Sequence, residues 1–272
     1  MLRYYTRACN FYYGTESKIL VKKRKSLPLN GNHQISFDQI ELISRKSLRK
    51  FSVKRLNNLP KSLKKKIIKD LKTITSKKKN FANFNFSKLP CIIGILNMTP
   101  DSFSDGGKFN VKDKGAKHAI NMFKSGADII DIGGESTRPG SKGVDAKVEW
   151  SRVNRTLKSI CKKIPISLDT RKSEIMEKGI KLGIRIVNDV SGLSFDPKTL
   201  DILKKYKIPF ILQHSKGLPE NMQNNPNYKN ELLDIYDFFE QKIKFLRSIG
   251  IKHNNIIIDP GIGFGKNLKH NM

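Results

Sequence analysis

Residues 128–140 read DIIDIGGESTRPG, an apolar run of strand length that ends in glycines and polar side chains. Runs of the same kind recur at 91–97, 166–170, 185–190, 209–214 and 256–260. Segments whose apolar residues have helical spacing fill the gaps, at about 112–125, 145–162, 172–182, 197–206 and 229–249. Six strands that alternate with helices predict a parallel sheet, and nearly continuous apolar runs predict that helices cover it.

Polar side chains stand at the carboxyl end of every predicted strand. An open doubly wound sheet concentrates its functional side chains at one switch point, whereas a barrel collects them from all strand ends around one mouth. In chain order the strand ends carry Asn97, Glu135, Asp169, Asn188 with Asp189, His214 and Asp259. This distribution favours an α/β fold of the TIM type, a (β/α)8 barrel of which about six strands are present.

The first third of the chain has a different character. Residues 1–90 contain 23 Lys and Arg against 4 Asp and Glu, so they carry +19 of the total net charge of +29. We therefore predict two regions, a basic N-terminal extension with its linker at 1–88 and the barrel domain at 89–272. Within the extension, 35–43 has partial strand alternation and 60–75 has helical spacing.

A basic segment of this kind could bind nucleic acid or an anionic surface. However, the whole chain is rich in Lys, Asn and Ile, which favours a biased genome composition as the cause. Few aromatic residues interleave with the lysine runs, which further weakens a role in nucleic-acid binding. Nucleic acid is therefore the less favoured partner.

Composition also indicates where in the cell the protein resides. No apolar run reaches the ~18 residues of a membrane span, and the first residues lack the pattern of a secretory signal. The three cysteines, Cys9, Cys91 and Cys161, match neither a disulfide framework nor a paired metal motif. We expect a cytoplasmic protein with no membrane association.

Two polar loops follow the first two predicted strands. The loop at 97–107, NMTPDSFSDGG, combines carboxylates, serines and glycines, which suits a mobile lid over a charged substrate. In the loop at 133–140, Thr137 and Arg138 offer a hydroxyl and a guanidinium, which suit a phosphate. The sequence therefore predicts an anionic substrate at the mouth.

Asp169, Asn188 and Asp259 form the second candidate constellation. A carboxylate in a barrel mouth can accept two N–H bonds from an amidine-like ring edge, and an amide can donate and accept. Pterins and guanines both present such an edge. Any single aspartate could instead cap the next helix. The glycine-rich stretch 259–267, DPGIGFGKN, fails the phosphate-loop spacing but would let Gly263 and Phe264 approach a flat ring.

Together these segments resemble dihydropteroate synthase over about residues 91–272. The motifs follow the family in order and spacing: ILNMTPDSFSDGG at 95–107, DIGGESTRPG at 131–140, ISLDT at 166–170, VND at 187–189 and DPGIGFGKN at 259–267. The resemblance implies a transferase of folate biosynthesis. Its reaction joins p-aminobenzoate to 7,8-dihydropterin-6-ylmethyl diphosphate and releases diphosphate, with Mg²⁺ as the cofactor.

The resemblance also implies roles for individual residues. Asn97 would lie at the magnesium ion and Thr137 at the substrate diphosphate. The pterin would be held by Asp169, Asn188 and Asp259, together with Gly263 and Phe264. The loops that close over the diphosphate and shape the aminobenzoate pocket would contribute the catalytic residues Asp101, Ser102, Asp105 and Arg138, together with Pro139.

Two departures from the family pattern stand out. Ser215 occupies a position where many members have Met or Arg, and the later Ser-Arg-Lys and Arg-x-His segments do not occur before Met272. We therefore expect a fragment that is inactive alone, and a homodimer of the full-length protein stays open. Two other functions also stay open: a pterin-barrel methyltransferase acting on methyltetrahydrofolate, and a nucleic-acid-binding module at the N-terminus.

Overall fold

The computed structural model describes residues 3–77, 90–99, 113–138, 140–217, 222–223 and 226–271. The chain divides into two compact units, Met1–Lys79 and Asn80–Met272. In the described residues, no helix combines the length and the apolar character needed to cross a membrane.

The first unit is an antiparallel sheet with two helices. Its elements are β1 (Tyr5–Tyr13), α1 (Gly14–Lys22), β2 (Leu27–Leu29), β3 (Asn32–Ile43), β4 (Leu48–Ser52), a 3-10 helix (Val53–Asn58) and α2 (Lys61–Thr75). The long β3 pairs with β1 along one edge and with β2 and β4 along the other. Ile67 and Leu71 of α2 join Phe37, Ile40 and Leu42 of β3 in a buried apolar cluster. The strand predicted at 35–43 and the helix predicted at 60–75 both lie in this unit.

The second unit alternates strands and helices as the sequence predicts. Its elements are β5 (Ile93–Asn97), α3 (Lys114–Lys124), β6 (Ile129–Gly133), α4 (Ala146–Ile160), β7 (Ile166–Asp169), α5 (Ser173–Leu182), β8 (Ile186–Asp189), α6 (Thr199–Tyr206), β9 (Phe210–Gln213), α7 (Glu231–Ser248), a 3-10 helix (His253–Asn255), β10 (Ile256–Asp259) and α8 (Leu268–Asn271). The six strands pair in parallel and in chain order from β5 to β10. This is the strand order of a (β/α) barrel, here an arc with β5 and β10 at its edges.

Glycines lie at the carboxyl ends of several of these helices. Gly183 caps α5 with φ +102°, and Gly126 and Gly250, just beyond α3 and α7, also have positive φ. This left-handed conformation is unfavourable for residues with a side chain, so the glycines allow the chain to turn sharply into the next strand.

Burial differs between inner and edge strands. All residues of β6 and β9 are buried, as are the apolar residues of β7 and β8. By contrast, Ile95 on β5 is 67% exposed and Ile258 on β10 is 52% exposed. Helices therefore cover the outer side of the four inner strands and of β5, where Leu96 is 1% exposed. Ile95 lies on the opposite side of β5, in register with Asp131, and Ile258 on the outer side of the edge strand β10 is covered only in part.

Candidate active site at the carboxyl ends of the strands

Strand alternation decides which polar residues face the concave side of the arc. Ile129, Ile186 and Ile211 cluster with one another on that side. Their neighbours Ile130, Val187 and Leu212 instead join the core beneath the helices. Because side chains repeat every two residues along a strand, the concave side also receives the polar residues two positions later. These are Asp131, Asn188, Gln213 and Asp259, and on β7 the same alternation adds Ser167 and Asp169.

Asp131, Asp169 and Asn188 form the centre of this polar surface. Asp169 and Asn188 are register partners on neighbouring strands. The Asn188 side chain donates from Nδ2 to Asp131 Oδ2 over 3.0 Å. Oδ1 of Asp131 and Oδ1 of Asn188 are buried and have no hydrogen-bond partner among the described residues. The cluster therefore presents several unused acceptor atoms.

The carboxyl group of Asp169 is strongly perturbed. Burial raises its pKa well above the ordinary value, and the nearby carboxylates of Asp131 and Glu149 raise the pKa further. Burial also raises the pKa of Asp131. Buried acidic groups with shifted pKa values and without cationic partners are typical of functional sites, because a ligand can supply the missing donors.

Asp259 lies two strands away, at the start of the glycine-rich loop. Its Oδ1 accepts a hydrogen bond from the Gly261 N–H over 2.7 Å, so one carboxylate oxygen shapes the loop and the other is available. Gly263 has φ +82°, and a Cβ there would meet nothing within 4 Å. The backbone conformation, rather than space, therefore favours glycine at this position.

Lys266 fixes the rest of the loop from inside. Its Nζ lies 3.0 Å from His214 Nδ1 and 3.0 Å from the carbonyl oxygens of Gly261 and Phe264. The residue is 3% exposed, and burial lowers the pKa of its amine to about 8. Burial, together with the Lys266 charge, lowers the pKa of His214 to about 4. The Lys266 amine thus holds β9 and the Phe264 loop in a fixed relation.

A buried ion-pair cluster braces the loop after β6. Arg171 grips Glu135 with two hydrogen bonds, from Nε to Oε2 over 3.0 Å and from a terminal nitrogen to Oε1 over 3.2 Å. Lys172 Nζ bridges Glu135 Oε2 at 2.9 Å and Glu149 Oε2 at 2.5 Å. Although burial alone would raise the pKa of Glu135, the hydrogen bonds from Arg171 and Lys172 hold it below its ordinary value.

This ion-pair cluster positions Thr137 and Arg138, which are half-buried in the same loop. Glu135 Oε1 also accepts from the Val144 N–H over 2.8 Å, and Ser141 Oγ donates to the carbonyl oxygen of Arg138 over 2.7 Å. The loop is thereby tied at both ends. A hydroxyl and a guanidinium held in this way suit recognition of an anionic group.

Asn97 ends β5 opposite Gly133. A Cβ added at Gly133 would lie 3.2 Å from Asp169 Oδ2 and 3.6 Å from Asn97 Oδ1, so this glycine keeps a small space open beside two side-chain oxygen atoms. Magnesium is usually held by one or two protein oxygens together with substrate phosphates and water. Within the described ranges, no cluster of three or more His, Cys, Asp or Glu side chains could hold a metal by itself. The residues present fit a magnesium ion that is shared with a substrate.

A cavity of about 230 Å³ opens between the loops that follow β7 to β10. The guanidinium of Arg171 forms part of its wall and stacks over the Phe195 ring at 4.0 Å. Seven residues line the cavity: Arg171, Val190, Ser191, Ser194, Ser215, Gly217 and Phe264. Ser215, where many family members have a larger side chain, therefore lies on the cavity wall.

The sequence-predicted residues have different outcomes. The structure brings Asp169 and Asn188 together and places Asp259, Gly263 and Phe264 on the same carboxyl edge. Asp101, Ser102, Asp105 and Pro139 lie outside the described residues, so their predicted roles stay predictions.

Sequence reasoning missed Asp131, Arg171, Lys172 and Lys266. Asp131 had a usable signal, because it is the polar residue two positions after Ile129 in an otherwise apolar strand. Arg171 and Lys172 had none, because their partner Glu135 is 36 and 37 residues away.

Comparison with known proteins agrees with this geometry. Residues 93–272 match the family model described as pterin binding enzyme. The chain is 44% identical over 191 residues to the dihydropteroate synthase of Clostridium beijerinckii, covering 70% of this chain and 68% of that protein. It therefore spans about two thirds of the length of this relative.

Solved structures give the same result. The crystal structure of Yersinia pestis dihydropteroate synthase with a sulfonamide drug complex matches with a TM-score of 0.67 and 38% identity, covering 71% of each chain. The dihydropteroate synthase of Clostridium difficile, crystallised in the presence of pteroic acid, matches with a TM-score of 0.61 and 41% identity, covering 71% of this chain and 70% of that one. The chain belongs to the dihydropteroate synthase family of pterin-binding enzymes.

Proposed function

We propose that this protein condenses 7,8-dihydropterin-6-ylmethyl diphosphate with p-aminobenzoate to give 7,8-dihydropteroate and diphosphate. The observation that carries the proposal is the group of unused acceptors on the concave side, formed by Asp131, Asp169 and Asn188. The solved Clostridium difficile relative, crystallised with pteroic acid, supports a ligand of this class.

The ring of the pterin would lie against these acceptors. Its 2-amino group and adjacent ring N–H are donors in one plane, and a carboxylate such as Asp169 can accept two of them side by side. Asp259 would contribute its second carboxylate oxygen from the glycine-rich loop. Phe264 and the wall that contains Ser215 would pack against the flat ring.

The diphosphate would lie towards the loop after β6. Thr137 and Arg138 are held there by the Glu135 brace and would bind its oxygens, with Asp101, Ser102 and Asp105 in the lid over it. Asn97 would hold magnesium with the substrate phosphates, and the bound ion would neutralise charge on the leaving group.

The chemistry needs little acid–base assistance. The bond from the 6-methylene carbon to the diphosphate oxygen breaks, and a bond from that carbon to the aromatic amine nitrogen forms with loss of one N–H proton. The protein would orient the two reactants, exclude water and stabilise charge as it moves to the diphosphate.

The setting of the enzyme is part of the proposal. Cys9, Cys91 and Cys161 are all free thiols, which is in keeping with a reducing cytoplasm. A homodimer and the absence of a nucleic-acid partner stay predictions. Light scattering would test the first and binding at low salt the second. The methyltransferase alternative lacks support, since the relatives are dihydropteroate synthases.

Asp169→Asn tests the function. Calorimetric titration of the 272-residue chain with the pterin diphosphate should give measurable binding, weakened about 10- to 100-fold by Asp169→Asn, because a charge-assisted hydrogen bond contributes roughly 1.5–3 kcal/mol. Asp128→Asn is the matched control, since Asp128 is exposed at the opposite end of β6. Equal affinity in wild type and Asp169→Asn would contradict the proposed ring site, and release of diphosphate on addition of p-aminobenzoate would test the reaction itself.

A further inference from the structure

We propose that Asp131 is a positioning residue that fixes the orientation of the Asn188 amide, so that Asn188 turns its carbonyl oxygen towards an N–H donor of the ring. This inference rests on the proposed function for the identity of the ring. It assigns to Asp131 a task that is distinct from contact with the substrate.

The inference rests on one contact between side chains of β6 and β8, the strands on either side of β7. Asp131 lies on β6 and Asn188 on β8, and their side chains meet on the concave side with 3.0 Å between Asn188 Nδ2 and Asp131 Oδ2. Asp131 is only 8% exposed. Water therefore cannot readily replace the Asn188 amide as the donor to its carboxylate.

The Asp131 carboxylate determines which end of the Asn188 amide faces it. An ionised carboxylate only accepts hydrogen bonds, whereas an asparagine amide has a donor end and an acceptor end. If the amide turned by 180°, its carbonyl oxygen would face Asp131 Oδ2 and two acceptors would repel each other. The Asp131 charge therefore selects the orientation in which Nδ2 faces β6 and Oδ1 faces away from it.

The selected orientation leaves Asn188 Oδ1 unused. This atom is buried and has no hydrogen-bond partner in the described part of the chain. Asp169, the register partner of Asn188, has no hydrogen bond from any described residue and adds carboxylate acceptors beside it. Two neighbouring acceptors match a ring edge with two N–H donors and disfavour an edge that presents a carbonyl oxygen.

Exchange of the two side chains tests this. The probes are 6-hydroxymethylpterin and 6-hydroxymethyllumazine, in which a carbonyl oxygen replaces the 2-amino group. Wild type should prefer the pterin. Asp131→Asn should weaken pterin binding about tenfold and narrow that preference, because an amide at 131 tolerates both orientations of Asn188. Asn188→Asp should also weaken binding, since two buried carboxylates would then face each other.

The double variant Asp131→Asn/Asn188→Asp should recover affinity to within about threefold of wild type. The introduced amide can donate to the introduced carboxylate, and the second carboxylate oxygen then takes the place of Asn188 Oδ1. Direct contact of the Asp131 carboxylate with the ring predicts no such recovery, because the double variant has no carboxylate at position 131. A double variant as weak as the weaker single one would overturn the inference, while Asp128→Asn should change neither affinity nor preference.

A measurement on the free protein separates this inference from the proposed function. The side-chain NH2 signals of Asn188, assigned by their loss in Asn188→Asp, should indicate one fixed amide in wild type and exchange between two orientations in Asp131→Asn. Identical signals in wild type and Asp131→Asn would overturn the inference even if pterin binds. A fixed amide in a protein that binds no pterin would contradict the proposed function and leave the orienting role of Asp131 supported.

Discussion

Two acidic clusters lie near the carboxyl ends of the strands and differ in the partners of their carboxylates. Glu135 and Glu149 are neutralised by Arg171 and Lys172 at distances of 2.5 to 3.2 Å. Among the described residues, Asp131 and Asp169 have no cationic partner, and only Asp131 accepts a hydrogen bond from the neutral amide of Asn188. Both carboxylates of the first cluster therefore have cationic partners, although Glu149 Oε1 has no hydrogen-bond partner among the described residues, whereas the second cluster has no cationic partner there.

The difference separates support from recognition. A buried carboxylate with bidentate and bridging cations fixes two loops and leaves little capacity for a ligand. A buried carboxylate without donors destabilises the empty protein, and proteins retain such groups mainly where a substrate must be bound. Burial alone would have placed both clusters in one class, and the partners of each side chain distinguish them.

The largest expected effect is on the supporting cluster. Glu135→Ala should lower the free energy of unfolding by about 3–5 kcal/mol, because Arg171 would lose its carboxylate partner while still buried. Urea denaturation monitored by circular dichroism would measure this. Glu174→Ala removes an exposed pair with Lys178 and should cost at most about 1 kcal/mol. Similar losses of unfolding free energy in the two variants would contradict this expectation, since the buried pair would then contribute no more than a surface pair.

Asp189 combines features of the two clusters, because one of its carboxylate oxygens has hydrogen-bond donors and the other has none in the described ranges. Its Oδ1 accepts from the N–H and the hydroxyl of Ser191, at 2.8 and 2.6 Å, while Oδ2 has no partner in the described ranges. Burial raises the pKa of Asp189 from 3.8 to about 6. The folded protein therefore holds this proton more tightly than the unfolded chain, so the contribution of Asp189 to stability falls as pH rises from about 4 to about 6.

The expected loss is on the order of 3 kcal/mol, from the displacement of the pKa between 3.8 and about 6. Asp189→Asn should lack this pH-dependent component. The unfolding free energy of wild type should therefore fall relative to that of the variant between pH 4 and pH 7. Urea titrations at four pH values in that range measure the difference. Parallel pH profiles for wild type and variant would mean that Asp189 titrates normally in the folded protein.

The smallest expected effect concerns geometry at constant charge. Arg171→Lys keeps the cation but loses the two-pronged contact with Glu135 and the stacking over Phe195, which should cost about 1 kcal/mol of unfolding free energy. Thermal and urea unfolding would measure it. Arg155→Lys is the control, because the Arg155–Asp113 pair is mostly exposed, with side-chain exposures of 65% and 62%. Equal losses of unfolding free energy in the two variants would mean that Arg171 contributes only its charge.

Much of the barrel unit could be predicted from the sequence, because period and composition are local properties. All six strands and the five helices between them lie where apolar runs and helical spacing place them. The first unit was less predictable. Its strand β1 contains Arg7, Cys9 and Asn10 and has no clean alternation, so only pairing with β3 identifies it.

The site was predictable where one strand end carries one functional side chain. Asp169 and Asn188 lie at the carboxyl ends of β7 and β8, so the strand pattern alone predicts that they meet at one edge; their roles stay predictions. The Glu135–Arg171 contact depends on two loops that meet in space, and no local pattern encodes it. In the sequence Lys266 is one residue of a glycine-rich stretch, and its burial depends on the closing of that loop around it.

Strand β8 presents successive side chains to opposite sides, with Asn188 towards the concave side of the sheet and Asp189 towards the helices. A single-residue insertion or deletion between Gly183 and Ile186 would exchange these two, sending a carboxylate to the concave side and an amide among the helices. Val187 would move into the polar interior at the same time. The segment before β8 therefore tolerates a substitution better than a one-residue change of length, because the change of length alters the direction of every side chain in the strand.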